Sequence, residues 1–208
     1  MCEFASSPPS RRQLLAAVGI GAAAALAGCL GDDSDDDPAD DADPADDDEG
    51  EFWPSDEVPV DELAEVPAEA VCVVCPMPPA EYPDWNAQAA HEDGTRAFFC
   101  SPGCAIAYTV YPDVFDAPEA SLANWWVTDV ATGEAVDGHE TYYVLDSNPD
   151  RAHGPMVNPY PFADREGALE YAGEYDDLEE DDVIAGDELD SDVAMAFRET
   201  YVERARAE

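Results

Sequence analysis

The stretch Asn86-Ala-Gln-Ala-Ala-His91-Glu-Asp93-Gly94-Thr95-Arg-Ala-Phe-Phe99-Cys100-Ser101-Pro102-Gly103-Cys104 decides the fold. Two short runs, 86–91 and 95–99, flank Asp93-Gly94, a dipeptide suited to a tight hairpin turn. Ser101 then stands at a helix N-cap with Pro102 at the first helical position. An apolar stripe at Ile106, Val110 and Tyr111 gives that helix a buried face. Strand, strand and helix therefore follow one another within about 26 residues.

The pattern recurs downstream. Trp125–Val130 is rich in aromatic and β-branched residues and reads as a strand, turned by Thr132-Gly133. Thr141–Leu145 is a further strand. Asp164 caps a helix running through Tyr171 and ended by Gly173. The expected class is α+β, as two similar strand-strand-helix (ββαβ-like) units packed together. Their expected bounds are 59–120 and 121–175. An acidic tail follows over 176–208, with a terminal helix at Val193–Arg206.

The other end of the chain reads as an address. Ser10-Arg11-Arg12-Gln13-Leu14-Leu15 carries the paired arginines of a twin-arginine export signal. The apolar run Leu14–Leu26 is short for a permanent membrane helix. Leu26-Ala27-Gly28-Cys29 reads as a lipobox, so 1–28 is a removable signal and Cys29 the lipidated residue. The expected location is the outer face of the cell membrane, held by that lipid. The 29–58 segment, almost wholly acids, Ala, Pro and Gly at first, reads as a disordered, self-repelling tether.

Charge narrows the function. The 208 residues hold 50 Asp+Glu against 8 Lys+Arg, a net −42, and all eight cations are arginine. Such self-repulsion is tolerable where concentrated salt screens it, as in an extreme halophile. Nucleic acid is excluded as a partner by the sign of the charge. No phosphate loop, nucleophile elbow or isolated carboxylate pair suggests an enzyme.

With Cys2 in the signal and Cys29 lipidated, four cysteines remain for chemistry. They stand as Cys72-x-x-Cys75-Pro76-Met77 and Cys100-x3-Cys104. Met156 lies in the proline-stiffened loop His153-Gly154-Pro155-Met156. Thiolates and thioethers are soft donors that select Cu(I) over hard cations. Three other readings suit the same residues: two structural disulfides, a thiol–disulfide redox pair, or a structural zinc site.

The ordered set of motifs resembles the NosL family, copper-binding accessory lipoproteins of nitrous oxide reductase. The resembling stretches are Cys72–Met77, Tyr82–Gln88, Asp93-Gly94, Phe98-Phe99, Trp126–Asp129, Thr132–Glu134, Tyr142–Val144, Gly154–Met156 and Pro161-Phe162. The resemblance implies a chaperone carrying Cu(I) to apo nitrous oxide reductase or its membrane assembly proteins. It implies metal ligands at Cys72, Cys75, Met77 and Met156. Pro76 stands where the family has glycine. Phe98-Phe99-Cys100-x3-Cys104 also looks like metal-trafficking domains of the TRASH and YHS type, which brings Cys100 and Cys104 into the candidate site.

Overall fold

The computed structural model describes residues 52–54, 58–152 and 154–207. The export signal, Cys29, most of the acidic segment and His153 lie outside the described residues.

The quoted stretch folds as its composition requires. Strands β2 (Ala87–His91) and β3 (Thr95–Phe99) form an antiparallel hairpin. Gly94 closes it at φ 87°, a left-handed conformation that costs glycine little, and Asp93 Oδ1 accepts the Thr95 amide at 2.9 Å. Helix α1 (Pro102–Val110) follows after two residues. Its apolar stripe is wider than expected, because every residue from Pro102 to Tyr108 is buried. Strand β4 (Leu122–Thr128) returns beside β2. A short β5 (Ala135–Asp137) and a short β1 (Phe52–Pro54) extend the two edges, giving the order β1-β3-β2-β4-β5.

The second sheet repeats this plan. Strands β6 (Tyr142–Val144) and β7 (Tyr160–Phe162) pair, α2 (Arg165–Ala172) follows, and β8 (Val183–Ala185) returns beside β6. The order β7-β6-β8 matches the β3-β2-β4 core of the first sheet. The chain is thus α+β with two antiparallel sheets, each built on a ββαβ unit.

Two strands fall elsewhere than their sequence context suggests. β4, read as opening the second unit, completes the first sheet through pairs such as Ala89↔Trp125. β8, inside the acidic tail, completes the second through Tyr143↔Ile184. Only three residues long and preceded by acids, β8 offers no alternation to detect. The two units meet where Trp125 stacks parallel on Tyr143 at 6.4 Å and Val130 N–H donates to Pro161 O.

The terminal helix α3 (Ser191–Ala205) is capped by Asp190, whose carboxylate accepts from the Asp192 and Val193 amides. It packs on α1, and its Val193, Ala194 and Val202 join the first core.

Candidate metal centre

Three segments bring the four cysteines together. Cys100 ends the turn after β3, and Cys104 lies in the first turn of α1. Cys72 and Cys75 lie on an irregular loop pinned at both ends: Cys72 N–H donates to Met77 O at 2.9 Å, and Val73 N–H to Phe98 O at 3.4 Å. The four Sγ atoms lie within 4.8 Å of one another. Cys75 Sγ is 3.2 Å from Cys100 Sγ and 3.6 Å from Cys104 Sγ, and Cys100 to Cys104 is 3.9 Å. All four are free thiols, none more than 3% exposed. Among the described residues this is the one group of three or more Cys, His or acids so converged that is wholly buried.

Met77 and Met156 are half-buried and pack against the same core. The closed set of four sulfurs is made by cysteines alone. Pro76 is exposed at the loop's outer edge. His91 is not near a metal role: its ring bonds Ala120 O at 2.9 Å and Tyr108 Oη at 2.6 Å.

The group is electrically uneven. Burial raises the Cys72 thiol well above its usual range, helped by the neighbouring thiols. Cys75 is raised chiefly by its contacts with Cys100 and Cys104. Burial acts in the same sense on Cys104, but hydrogen bonds from Cys100, Cys72 and Cys75 and the charge of Arg198 together bring it well below. Of the shifted thiols, Cys104 is the one drawn toward its anionic form. Sulfur–sulfur contacts of 3.2, 3.6 and 3.9 Å link Cys75, Cys100 and Cys104, and either sulfur of each pair can donate.

The sequence reading missed Arg198. It sits on the buried Ala194–Arg198–Val202 stripe of α3 and is 2% exposed. Its Nε donates to Cys104 Sγ at 3.1 Å. Nη2 donates to Ser101 Oγ at 2.7 Å and to Asn158 Oδ1. Nη1 donates to Val157 O at 3.0 Å and Phe197 O at 2.6 Å. The signal was available: in a chain of eight cations, one stands at i+4 from alanine and i+4 before valine on an apolar face. Ser101 is corrected with it. Its hydroxyl makes no cap bond and serves Arg198 instead, whereas Asp164, at the matching turn of the second unit, does cap α2 through the Gly167 amide at 2.9 Å.

A buried four-thiol group beside a strand end, on an α+β scaffold, has the donors to hold a soft or thiophilic metal ion. Residues 63–186 match the family model NosL, and the chain belongs to the NosL family. The crystal structure of the copper chaperone NosL from Shewanella denitrificans shares its fold, with a TM-score of 0.50 at 15% identity. That match covers 64% of this chain and 99% of the other. Comparison with curated protein sequences gives no match.

Proposed function

We propose that this protein is a copper chaperone that binds Cu(I) through cysteine sulfurs and delivers it to apo nitrous oxide reductase, or to that enzyme's membrane assembly proteins, for building the copper–sulfur cluster. The observation that carries the reading is the convergence of Cys72, Cys75, Cys100 and Cys104, four buried thiols within 4.8 Å. Thiolates are the donors Cu(I) prefers, and burial excludes the water and oxidant that would convert it to Cu(II). Met77 and Met156, packed against the same core, would supply neutral thioethers to an ion in transit. Export by the twin-arginine route and a lipid on Cys29 would hold the carrier at the outer membrane face, with the acidic segment as its reach.

The test is Cu(I) binding under anaerobic conditions against a chromophoric chelator. We expect about one Cu(I) per chain, bound with release of thiol protons. Undiminished affinity in the Cys75→Ala, Cys104→Ala double variant would refute the site. Transfer of the ion from loaded protein to apo-reductase, faster than its passive loss to chelator, tests delivery.

One observation favours a second reading. Four cysteines closed on all sides, with no exposed position, is also the form of a structural zinc site. In that case protein prepared without added metal carries stoichiometric zinc and retains it against Cu(I). The same burial speaks against disulfide exchange with a partner, which requires an accessible thiolate.

A further inference from the structure

We propose that Arg198 is a positioning residue for the metal centre: its Nε–H bond orients the Cys104 sulfur as a ligand, and the same guanidinium fastens the Met156 loop of the second unit to the thiols of the first. The inference rests on the Cu(I)-carrier reading above and deepens it.

Geometry carries the argument. A guanidinium is charged throughout the accessible pH range and demands partners for five N–H bonds when buried. Among the described residues no carboxylate lies in ion-pair range of Arg198; the ion pairs there belong to Arg151 and Arg165. Its five hydrogen bonds run to Cys104, Ser101, Asn158, Val157 and Phe197. In a chain of net −42, the one anion-forming group it touches is a cysteine sulfur. A buried cation without a carboxylate is unfavourable unless something else supplies the negative charge. A metal-bound sulfur at Cys104, 3.1 Å from Nε, would do so.

The same side chain reaches the other unit. Asn158, which accepts from Nη2, turns its own amide N–H to Met156 O at 2.7 Å, and Val157 O accepts from Nη1. Residues 156–158 therefore hang from the guanidinium that touches Cys104. The backbone is fitted to this placement. α3 breaks at Arg198 (φ −136°, ψ 23°), and Gly103 leaves room: a Cβ there would lie 2.7 Å from Nη2. The matched family region ends at residue 186, whereas Arg198 stands on a helix that begins at Ser191. The centre thus draws on a segment outside the matched region.

A charged donor aimed at a ligand sulfur favours the more negative metal complex. The same thiolate set is one unit more negative with Cu(I) than with Zn(II). Replacing Arg198 should therefore weaken Cu(I) more than zinc.

The experiment measures Cu(I) and Zn(II) affinities, each by chelator competition at one pH, for the wild type, Arg198→Gln, Arg198→Lys and the surface control Arg165→Gln. We expect Arg198→Gln to lose about 10–100-fold in Cu(I) affinity, with a smaller loss for Zn(II). Arg198→Lys should keep the metal preference in part, and Arg165→Gln should stay within about twofold of wild type. Equal losses for the two metals, or none, overturn the proposal. A variant-free arm covers the case in which Arg198→Gln does not fold. The side-chain ¹⁵Nε–¹H signal of Arg198 in the intact wild-type protein should shift on Cu(I) loading, and an unmoved signal overturns the proposal. A wild type that binds no Cu(I) at all refutes the carrier reading itself, a result distinct from either arm.

Discussion

Gly103→Ala tests the coupling between α3 and the metal centre without touching a ligand or the arginine. Gly103 has no positive φ, so alanine suits its backbone, and chain entropy alone would favour the variant by about 0.4–1 kcal/mol. The new Cβ, however, would fall 2.7 Å from Arg198 Nη2, 2.8 Å from Cζ and 3.0 Å from Nη1. The guanidinium has to withdraw by several tenths of an ångström. Elsewhere a flexible arginine tip would swing aside; here it is buried and held by five bonds. Its bonds to Ser101 Oγ at 2.7 Å and Cys104 Sγ at 3.1 Å lengthen first. Two hydrogen bonds to a charged group are each worth about 1.5–3 kcal/mol. Weakening both, less the entropic gain, leaves a net destabilisation of about 1–3 kcal/mol. Equilibrium urea unfolding of the apo protein in concentrated KCl measures it. In the Arg198→Gln background the obstruction is gone, and the same substitution should be neutral or stabilising by up to about 1 kcal/mol. Gly103→Ala that is harmless in both backgrounds would refute the packing argument and the anchoring of Arg198 with it.

Three further outcomes follow from the structure. Arg151 pairs with buried Asp146 at 2.6 Å and with Asp177 at 2.9 Å. Burial would raise the Asp146 carboxyl, but the bonds from Arg151, the Asn148 amide and Tyr171, with the charge of Arg151, together outweigh it and the value falls below the ordinary 3.8. A folded value below the unfolded one gives stability that is complete above about pH 4 and lost as pH falls through the folded value. Asp146→Asn should therefore cost about 2 kcal/mol near neutrality and flatten the acid limb of stability against pH. Gly154→Ala places a Cβ 2.8 Å from the Trp85 ring, and an overpacking cost of about 1–3 kcal/mol should appear in urea unfolding. Finally, a net charge of −42 should make Tm rise steeply with KCl, while Cu(I) affinity changes by less than about threefold, since buried interactions are screened much less than surface ones. Titrations across a KCl series separate the two.

The legible part of the fold was the part with strong local chemistry. Asp93-Gly94, Ser101-Pro102 and Asp164 each mark a boundary by a specific backbone requirement, and the hairpin and helices stand there. Partner choice was not legible. Nothing in the local residue types of β4 says whether it pairs back with β2, as it does, or forward with β6. For the centre, spacing named the four cysteines, since two ligands on each of two short segments can converge by simple turns. It did not show that they form one closed group. Arg198, 94 residues from Cys104, carried only the signal of a cation on an apolar helix face; its role, like that of β8, depends on where the chain returns. Ser101 shows a subtler failure. The residue type and position suit a cap, yet a buried guanidinium competes for the hydroxyl and wins, since a charged donor bonds more strongly than an amide.

Retention and delivery make opposed demands on one site, and the four thiols are mounted unequally. Cys100 and Cys104 are fixed by a strand end and a helix turn, with Arg198 bonded directly to Cys104. Cys72 and Cys75 ride a loop whose attachments to its surroundings include few main-chain bonds, one of them as long as 3.4 Å. That loop also borders open space: Val71–Val74 and Pro76 line a cavity of about 490 Å³, closed on the far side by Asp113–Asp116 and the end of α3. A carrier whose ligands were all fixed would hold its ion and never part with it; one whose ligands were all mobile would lack affinity. On the carrier function proposed above, half the set anchored by regular structure and half on a loop beside a void would let an incoming thiolate displace Cys72 and Cys75 while Cys104 still held the metal. The proline at 76 fits this division. It fixes φ at the loop's exposed outer edge and removes one amide donor there, so on the proposed carrier function Cys72 and Cys75 would part from the metal together rather than one at a time.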